Sequence, residues 1–456
     1  MTAPTDWLRA RAMGTPEARA LDLVGGQTSS FAALDGRAEA LAAALAKRPP
    51  TRILAAETDQ AEALALLALA APRAGQVLLP VNPALPAERR AALLAAAGLA
   101  ADATLTTLPA PTATPLASGL GLKPEAVHLV IATSGSTGTP KGAMLTGRTL
   151  AAAARSSRHL IPLGPGDVWL GCLPMVHIGG LSTLFRCLEA GATLRLPPRI
   201  DVAAGAAAPA VGRVSHVSWV PAMLDRLIAA GCRPAPRLRC ALIGGAALSA
   251  PLAERAAAAG WPLLISYGMS ETASQLATQP FAEGWYPGLA GTPLPGLEIG
   301  FSASSRIRVR GASVMSGYLT PDLTPGQGLD PEGWFETNDL GQFDAEGRLV
   351  IRGRADDMLI SGGENIHPAD VESLAGRCPG VQAIAVTGRP DPTWGDLVVA
   401  IVVGEITSED FLDWCRHHLP APLRPRAMVR VDQLPLTSVG KPDRAALREI
   451  AANSKS

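Results

Sequence analysis

A run of hydroxyl and glycine residues ending in a lysine, TSGSTGTPKG at Thr133–Gly142, constrains this 456-residue chain more than any other feature. Glycine lets backbone N–H groups approach phosphate oxygens, hydroxyls add donors, and Lys141 adds a positive charge. The run directly follows the apolar segment VHLVIA, and the ends of strands in α/β sheets commonly present ligand-binding loops. The sequence therefore predicts a polyphosphate site after a buried strand. Its candidate residues are Thr133, Ser134, Gly135, Ser136, Thr137, Gly138 and Lys141.

The spacing within this run excludes two well-known loops. A Walker A loop has glycine directly before its lysine, whereas Pro140 precedes Lys141 here. A nucleophile elbow centred on Ser136 needs glycine at position 134, which is Ser134 in this chain. From this segment alone, a polar surface loop without a ligand remains the alternative to a phosphate site.

Short runs rich in Val, Ile and Leu alternate with helical stretches through the first part of the chain. This alternation is typical of α/β layers, in which buried strands read as continuous apolar segments. The runs that we predict as buried strands are Ile53–Ala56, Val77–Val81, Val127–Ala132, Val217–Val220 and Ala241–Ile243.

The pattern of apolar and polar residues changes from about residue 297. Shorter alternating runs at Arg306–Arg310 and Arg348–Ile351, with a turn at Asp344–Gly347, predict antiparallel sheet. The last hundred or so residues are enough for a compact α+β domain. We therefore predict an N-terminal domain over residues 1–355 and a C-terminal domain over residues 356–456.

Composition narrows the class of protein. The 40 basic and 40 acidic residues cancel to a formal net charge of zero, so nothing indicates a general binder of nucleic acid or of anionic membranes. The six cysteines show neither a CxxC pair nor zinc-site spacing, which favours free thiols in a reducing compartment. The first residues, MTAPTDWLRARAMG, have no long apolar core followed by a cleavage site, and the sequence has no run of about 18 apolar residues, so we expect neither a secretory leader nor a membrane-spanning helix. We therefore expect a cytoplasmic protein that is not inserted in a membrane.

Further motifs follow the phosphate loop in a fixed order. They are PMVHIGG (174–180), IGGAALS (243–249), YGMSET (267–272), VRGASVMSGYL (309–319), FETNDLG (335–341), GRADDMLISGGENIHP (353–368) and PLTSVGKPDR (435–444). Together they resemble the acyl-adenylate-forming enzymes, the superfamily of acyl-CoA synthetases, peptide-synthetase adenylation domains and firefly luciferase. The resemblance runs from about Leu129 to Arg444. It implies the fold of that superfamily, a large N-terminal domain of layered α/β subdomains and a small mobile α+β C-terminal domain.

The resemblance also implies a two-step ligase. A carboxylic acid and MgATP give an acyl-adenylate and pyrophosphate, and the thiol of coenzyme A then displaces AMP. By the resemblance, the loop at 133–142 holds the β- and γ-phosphates, while Ser270 and Glu271 contact phosphate and Mg²⁺, for which a hard oxygen ligand is suitable. The residues expected along the adenine are Gly244, Gly245, Ala246 and Tyr267, with Gly268 of the same motif also at the nucleotide.

Four further positions carry implied roles. Asp339 matches the aspartate that accepts the ribose hydroxyls, with Arg354 as its partner, and Asp356 falls on the hinge between the domains. Lys441 matches the mobile lysine that bridges the carboxylate and the α-phosphate during adenylation, where a flexible point charge is useful. The superfamily usually reads TGD where this chain has Asn338 before Asp339. If that glycine has positive φ, asparagine is the next most tolerant residue.

Within the superfamily, four segments resemble the CoA ligases that act on o-succinylbenzoate in menaquinone biosynthesis. They are VLLPVNPALP (77–86), SHVSWVPAMLDRLI (215–228), YGMSETASQ (267–275) and DDMLISGGENIHP (356–368). This likeness implies an aromatic keto acid with two carboxylates, so we expect apolar walls plus one cation or donor set for the distal carboxylate. The candidates at the acid are His177, Trp219, Arg226 and Ser274, with His177 positioning the substrate.

Other functions remain open on the sequence. The same chemistry on a medium-chain or aryl acid, transfer to a carrier-protein thiol, and a P-loop NTPase that forms ADP are alternatives. A nucleotide-binding relative without activity is another, although the presence of Lys141, Glu271, Asp339, Arg354 and Lys441 counts against it. The chain does not fix whether the protein is a monomer or a homodimer.

Overall fold

The computed structural model describes residues 6–49, 51–111, 122–133, 141–197, 213–437 and 442–454. Its helices are α1 (Trp7–Gly14), α2 (Phe31–Ala46), α3 (Ala61–Arg73), α4 (Ala87–Ala96), α5 (Gly147–Ser157), α6 (Ile178–Ala190), α7 (Pro221–Ala229), α8 (Ala250–Ala258), α9 (Pro368–Ala375), α10 (Ser408–His418) and α11 (Arg444–Asn453). Side chains with hydroxyl or carboxylate oxygens cap several of them. For example, Thr146 accepts from the Thr149 N–H at the start of α5, and Asp443 does the same for α11.

The largest sheet has 13 strands and a parallel centre. Its strands in spatial order are β14 (Leu297–Phe301), β15 (Arg306–Gly311), β17 (Phe335–Phe343), β18 (Leu349–Arg354), β13 (Leu289–Pro293), β12 (Ala277–Pro280), β11 (Leu263–Tyr267), β10 (Cys240–Ile243), β9 (His216–Trp219), β7 (Val168–Leu170), β8 (Thr193–Leu196), β1 (Arg19–Leu23) and β2 (Thr28–Ser30). In this spatial order, neighbouring strands from β11 to β1 pair in parallel. The pairs from β14 to β11, and the β1–β2 pair at the other edge, are antiparallel.

Two smaller sheets have 5 strands each. The second sheet is ordered β16 (Gly317–Tyr318), β6 (Lys141–Thr146), β5 (Val127–Thr133), β4 (Val77–Val81) and β3 (Ile53–Glu57). The third contains β20 (Glu364–Ile366), β19 (Leu359–Ser361), β22 (Gly395–Gly404), β21 (Val381–Asp391) and β23 (Ala427–Arg430). The first two sheets use residues up to Arg354, and the third begins at Leu359.

Alternate residues of a strand face opposite sides of its sheet, so each sheet has two faces. One face of the large sheet and one face of the second sheet contribute to a shared core. Leu54 of β3 and Trp169 of β7 belong to the same buried cluster, which helices α2, α3, α5 and α6 fill. The other side of the large sheet packs on α7 and α8, and the other side of the second sheet packs on α4. Helices α9 and α10 cover one face of the third sheet, and α11 covers the other. The chain is therefore layered α/β, as expected.

The sequence-based predictions of secondary structure are confirmed in outline. Each of the five apolar runs forms a strand, and the runs at Arg306–Arg310 and Arg348–Ile351 lie in the antiparallel part of the large sheet. All six cysteines are free thiols. Among the described residues, no helix is both long and apolar enough to cross a membrane. The division of the chain at residue 355 stays a prediction.

Candidate active site

The ends of the predicted phosphate loop lie opposite each other in the second sheet. Strand β5 ends at Thr133, β6 begins at Lys141, and these two residues are cross-strand partners. The loop residues between them, including Ser134, Gly135, Ser136, Thr137 and Gly138, lie outside the described residues. The turn at Ser270–Thr272 contacts both strands. The motif YGMSET is thereby brought to the base of the loop.

Tyr318 links the lysine of the loop to Glu271. Its hydroxyl donates to Glu271 Oε1 at 2.9 Å, and Lys141 Nζ lies 4.9 Å from the centroid of its ring. Glu271 is only 8% exposed, and burial raises the pKa of its carboxyl despite the Tyr318 hydrogen bond. The Glu271 carboxylate and the Lys141 ammonium therefore both contact the side chain of Tyr318. Tyr318 belongs to the motif VRGASVMSGYL, but its contact with Glu271 arises only in the fold.

A second group of side chains surrounds Asp339 on β17. Tyr267 donates its hydroxyl to Asp339 Oδ2 at 2.6 Å, and Arg354 Nη1 lies 3.3 Å from Oδ1. Burial, and then the Asp339 charge, raise the pKa of Tyr267 well above its usual value, so the phenol stays a hydrogen-bond donor. Arg354 also donates twice to Asp356, at 2.9 Å each. The three predicted residues Asp339, Arg354 and Asp356 thus form one connected network with Tyr267.

The residue before Asp339 has no special backbone role. Asn338 is not among the described residues with positive φ, so the tolerance of asparagine for that conformation is not needed here. Its backbone oxygen accepts from the Ala355 N–H at 2.8 Å, and its side chain accepts from Arg306.

The glycine motifs follow two adjacent parallel strands. Gly244, Gly245 and Ala246 come directly after β10, and Gly268 comes directly after β11, whose register aligns Ile243 with Ile265. The carboxyl ends of neighbouring parallel strands therefore carry both motifs. A Cβ on Gly268 would come within 1.6 Å of the Ser274 backbone oxygen. Only glycine fits that close approach.

Three further predicted residues, His177, Ser270 and Ser274, lie where the chain connects strands and helices. His177 is half-buried at the N-cap of α6, and its backbone N–H donates to the Pro174 oxygen at 3.1 Å. Ser270 is half-buried in the turn before Glu271. Ser274 has φ 109° and follows Ala273 at φ 51°. Positive φ at two consecutive non-glycine residues is strained and is concentrated at functional sites.

Arg186 is a candidate site residue that the sequence motifs did not indicate. It lies in α6, is 3% exposed, and its Nη2 donates to Ser274 Oγ at 3.0 Å. Within the described ranges its Nε and Nη1 have no hydrogen-bond partner, and no carboxylate pairs with it. Burial lowers the pKa of its guanidinium to about 10. A buried cation without a counter-ion is costly, and such groups are usually functional.

A signal for Arg186 was present in the sequence. The segment LSTLFRCLEAG carries one cation, nine positions after His177, in a helix whose other charged residue is Glu189, and its neighbours Phe185 and Cys187 are buried. The signal becomes clear only once α6 is seen to be buried at every residue except Gly179 and Glu189, because in an amphipathic helix a single arginine would face solvent.

Two predicted acid-site residues lie elsewhere. Trp219 is 2% exposed and packs edge-to-face on Trp261, with 5.2 Å between ring centroids, in the cluster on the α7 and α8 side of the sheet. Trp169, which touches Arg186, belongs to the cluster on the opposite side. A role for Trp219 in binding the acid stays a prediction, and its surroundings favour packing. Arg226 is exposed on α7.

Lys441 lies outside the described residues. On either side of it, Leu436 and Pro442 pair as an isolated bridge. Arg444, at the start of α11, donates to Glu372 at 3.1 Å and lies 3.4 Å from Asp357, the residue after Asp356. Within the described residues, no group of three or more His, Cys, Asp or Glu side chains is placed to hold a metal ion.

Comparison with known proteins defines the class. The model of the AMP-binding enzyme family matches residues 8–119 and 103–319, and that of the AMP-binding enzyme C-terminal domain matches residues 370–441. The chain belongs to the AMP-binding enzyme family, which confirms the resemblance to acyl-adenylate-forming enzymes.

Among the relatives are ligases of one particular acid. The chain is 36% identical over 334 residues to the 2-succinylbenzoate–CoA ligase of Bacillus licheniformis, covering 70% of each chain. It is similar to the o-succinylbenzoate CoA synthetase (MenE) of Bacillus subtilis in complex with the acyl-adenylate intermediate OSB-AMP, at TM-score 0.85 and 30% identity over 98% of both chains. The same Bacillus subtilis enzyme in complex with ATP and magnesium ion also has TM-score 0.85 and 30% identity, over 97% of this chain and 99% of that one.

Proposed function

We propose that this protein is an AMP-forming acid–CoA ligase whose acid is o-succinylbenzoate. The observation that carries the choice of acid is the buried guanidinium of Arg186 beside Ser274, which has no carboxylate partner among the described residues. An acid with a second carboxylate would supply the missing counter-ion, and a buried Arg–carboxylate pair gives both energy and geometry. A simple fatty or aryl acid would leave the cation unpaired.

In the proposed first step, an oxygen of the succinyl carboxylate attacks the α-phosphorus of ATP, and the bond to pyrophosphate breaks. The loop at 133–142, with Lys141, would hold the β- and γ-phosphates, and Lys141 already lies over the ring of Tyr318, whose hydroxyl bonds Glu271. Asp339 would accept the ribose hydroxyls. Its two oxygens are held by Tyr267 and Arg354, which fixes the carboxylate before nucleotide arrives.

The residues present fit Mg²⁺ carried by the nucleotide. Magnesium is commonly held by one or two carboxylates together with substrate phosphates and water, and Glu271 provides one such carboxylate near the phosphate loop. When bound, the ion would neutralise charge on the transferring phosphate. Glu271 and the Ser270 hydroxyl would hold it there, with Tyr318 orienting the Glu271 carboxylate.

Replacing Tyr318 by phenylalanine is expected to raise the Mg²⁺ concentration for half-maximal adenylation by roughly tenfold. The ring beside Lys141 is kept, but Glu271 loses a hydrogen bond to its charged form, which is worth about 1.5–3 kcal/mol. Pyrophosphate release against Mg²⁺ at fixed ATP measures the effect. Tyr286→Phe is the matched control, because the Tyr286 hydroxyl bonds Asp344 at an exposed position. An unchanged Mg²⁺ dependence in Tyr318→Phe would contradict the role of Tyr318.

In the proposed second step, the thiolate of coenzyme A attacks the acyl carbon and AMP leaves. We place the domain boundary between residues 355 and 356, with Asp356 as hinge, and expect the C-terminal domain to withdraw Lys441 after adenylation. Asp356 lies in the short connection between Arg354, the last residue of β18, and Leu359, the first residue of β19, which supports this position for the hinge. His177 at the N-terminus of α6 would position the acid.

A panel of acids tests the function. Purified protein with MgATP and CoA is incubated with o-succinylbenzoate, benzoate, octanoate or no acid, and AMP and acyl-CoA are measured by mass spectrometry. An acyl-CoA from o-succinylbenzoate alone is expected. AMP with another acid only would keep the class and refute the substrate. ADP in place of AMP would refute the class.

Two further expectations accompany this proposal. We expect the enzyme in the cytoplasm, from its composition, and coenzyme A as a free acceptor in place of a carrier-protein thiol. A homodimer stays an open prediction, which light scattering of the purified protein would decide.

A further inference from the structure

An aromatic stack lies beneath the guanidinium of Arg186. The guanidinium carbon is 5.4 Å from the centroid of Trp169, a fully buried residue of β7. Behind Trp169, the ring of His216 on β9 is stacked with 5.3 Å between centroids and 23° between planes. The two rings come from register partners of adjacent parallel strands. Three buried side chains thus form successive layers from the strands to the helix.

The two stacked rings contact Arg186 through the face of the indole and do not accept hydrogen bonds from the guanidinium N–H groups. A carboxylate partner would stabilise the cation but would occupy its N–H groups, whereas an indole face attracts the cation without accepting those hydrogen bonds. Among the described residues, Nη2 bonds Ser274 while Nε and Nη1 have no partner. The charge is therefore supported from one side and its donors stay available.

His216 is suited to the bottom of the stack. It is fully buried, its Nδ1 lies 2.8 Å from Ser215 Oγ, and burial lowers the pKa of its imidazole to about 4. It is thus neutral at physiological pH. A second cation against the indole would have weakened its attraction for Arg186. Ser218, two residues later on the same face of β9, has a buried hydroxyl with no partner in the described part of the chain.

We propose that Trp169, backed by His216, is the positioning pair that sets selectivity for an acid with a second carboxylate, because it holds Arg186 charged and aimed without occupying its donors. This inference rests on the proposed function. Neither ring touches the reacting atoms, so both residues act through Arg186. Loss of the indole leaves the guanidinium free to turn or to bond backbone oxygens, and its affinity for the distal carboxylate falls.

The test compares two acids that differ only in that carboxylate, o-succinylbenzoate and 4-oxo-4-phenylbutanoate. The readout is the ratio of their kcat/KM values in the full ligase reaction. Trp169→Leu is expected to lower this ratio roughly 30-fold, the size of a lost desolvated cation–π contact. Trp169→Phe keeps an aromatic face and should lower it less, and His216→Leu should lower it in the same direction. Trp261→Leu, a buried tryptophan on the other side of the sheet, should leave the ratio unchanged.

The outcomes separate the two proposals. A wild-type ratio near one overturns the proposed substrate. A high wild-type ratio that collapses in Arg186→Met but is unchanged in Trp169→Leu overturns the positioning role alone. Where Trp169→Leu does not fold, unchanged ratios in both Trp169→Phe and His216→Leu overturn it equally. A ratio that falls in Trp261→Leu as far as in Trp169→Leu would show a general packing effect and also overturn the inference.

Discussion

Replacing Arg186 by methionine is expected to stabilise the protein and at the same time to remove its use of o-succinylbenzoate. Methionine fills a similar volume without a buried charge, and replacing buried charged groups by well-packed apolar ones is often stabilising by about 1–4 kcal/mol. Without the cation, the distal carboxylate of the substrate is buried unpaired. Removal of one partner of such a pair costs about 2–5 kcal/mol, so kcat/KM should fall roughly 30-fold to several thousand-fold.

Two measurements on the same variant check this result. Denaturant unfolding gives the free energy of unfolding, and steady-state kinetics with o-succinylbenzoate and 4-oxo-4-phenylbutanoate gives the selectivity. The monocarboxylate should be used at least as well by Arg186→Met as by the unmodified enzyme. Arg155→Met, an exposed arginine on α5, is the matched control and should change neither quantity. A destabilised Arg186→Met protein that still prefers the dicarboxylate would refute the role of Arg186.

Replacing Lys441 by alanine is expected to reduce adenylation by roughly 10²–10³-fold, while thioester formation from supplied acyl-adenylate is largely spared. The lysine is predicted to stabilise charge as the carboxylate attacks the α-phosphorus, and loss of one preorganised stabilising group costs about 2.7–4 kcal/mol. The second step needs no such charge, because the adenylate is already formed. The separation of the two half-reactions is therefore the decisive feature.

Each half-reaction is measured by itself. Pyrophosphate release without CoA reports adenylation, and acyl-CoA formation from synthetic o-succinylbenzoyl-adenylate reports thioester formation. Lys47→Ala, an exposed lysine after α2, controls for loss of a surface charge. If Lys441→Ala slows both half-reactions equally, a structural role for the lysine replaces the catalytic one.

Local sequence patterns determined the layered fold and the family. Apolar runs such as Val77–Val81 favour strands buried on both faces, and the structure has this run as such a strand. The motif glycines are equally local in origin. Gly268 must lack a side chain because the Ser274 backbone oxygen occupies that space. Because such constraints act over a few residues, they can be predicted from the sequence alone.

The tertiary structure alone decided which side chains meet around Arg186. Trp219 is indistinguishable in sequence from a pocket residue, yet the alternation of β9 turns it toward Trp261 while His216 faces Trp169. Tyr318 reaches Glu271 across 47 positions, and Arg186 reaches Ser274 across 88. The sequence by itself therefore determined the family and the nucleotide motifs, which are contiguous. The partners of Arg186 depend on packing between distant elements, because burial and the loss of solvent are properties of the assembled core.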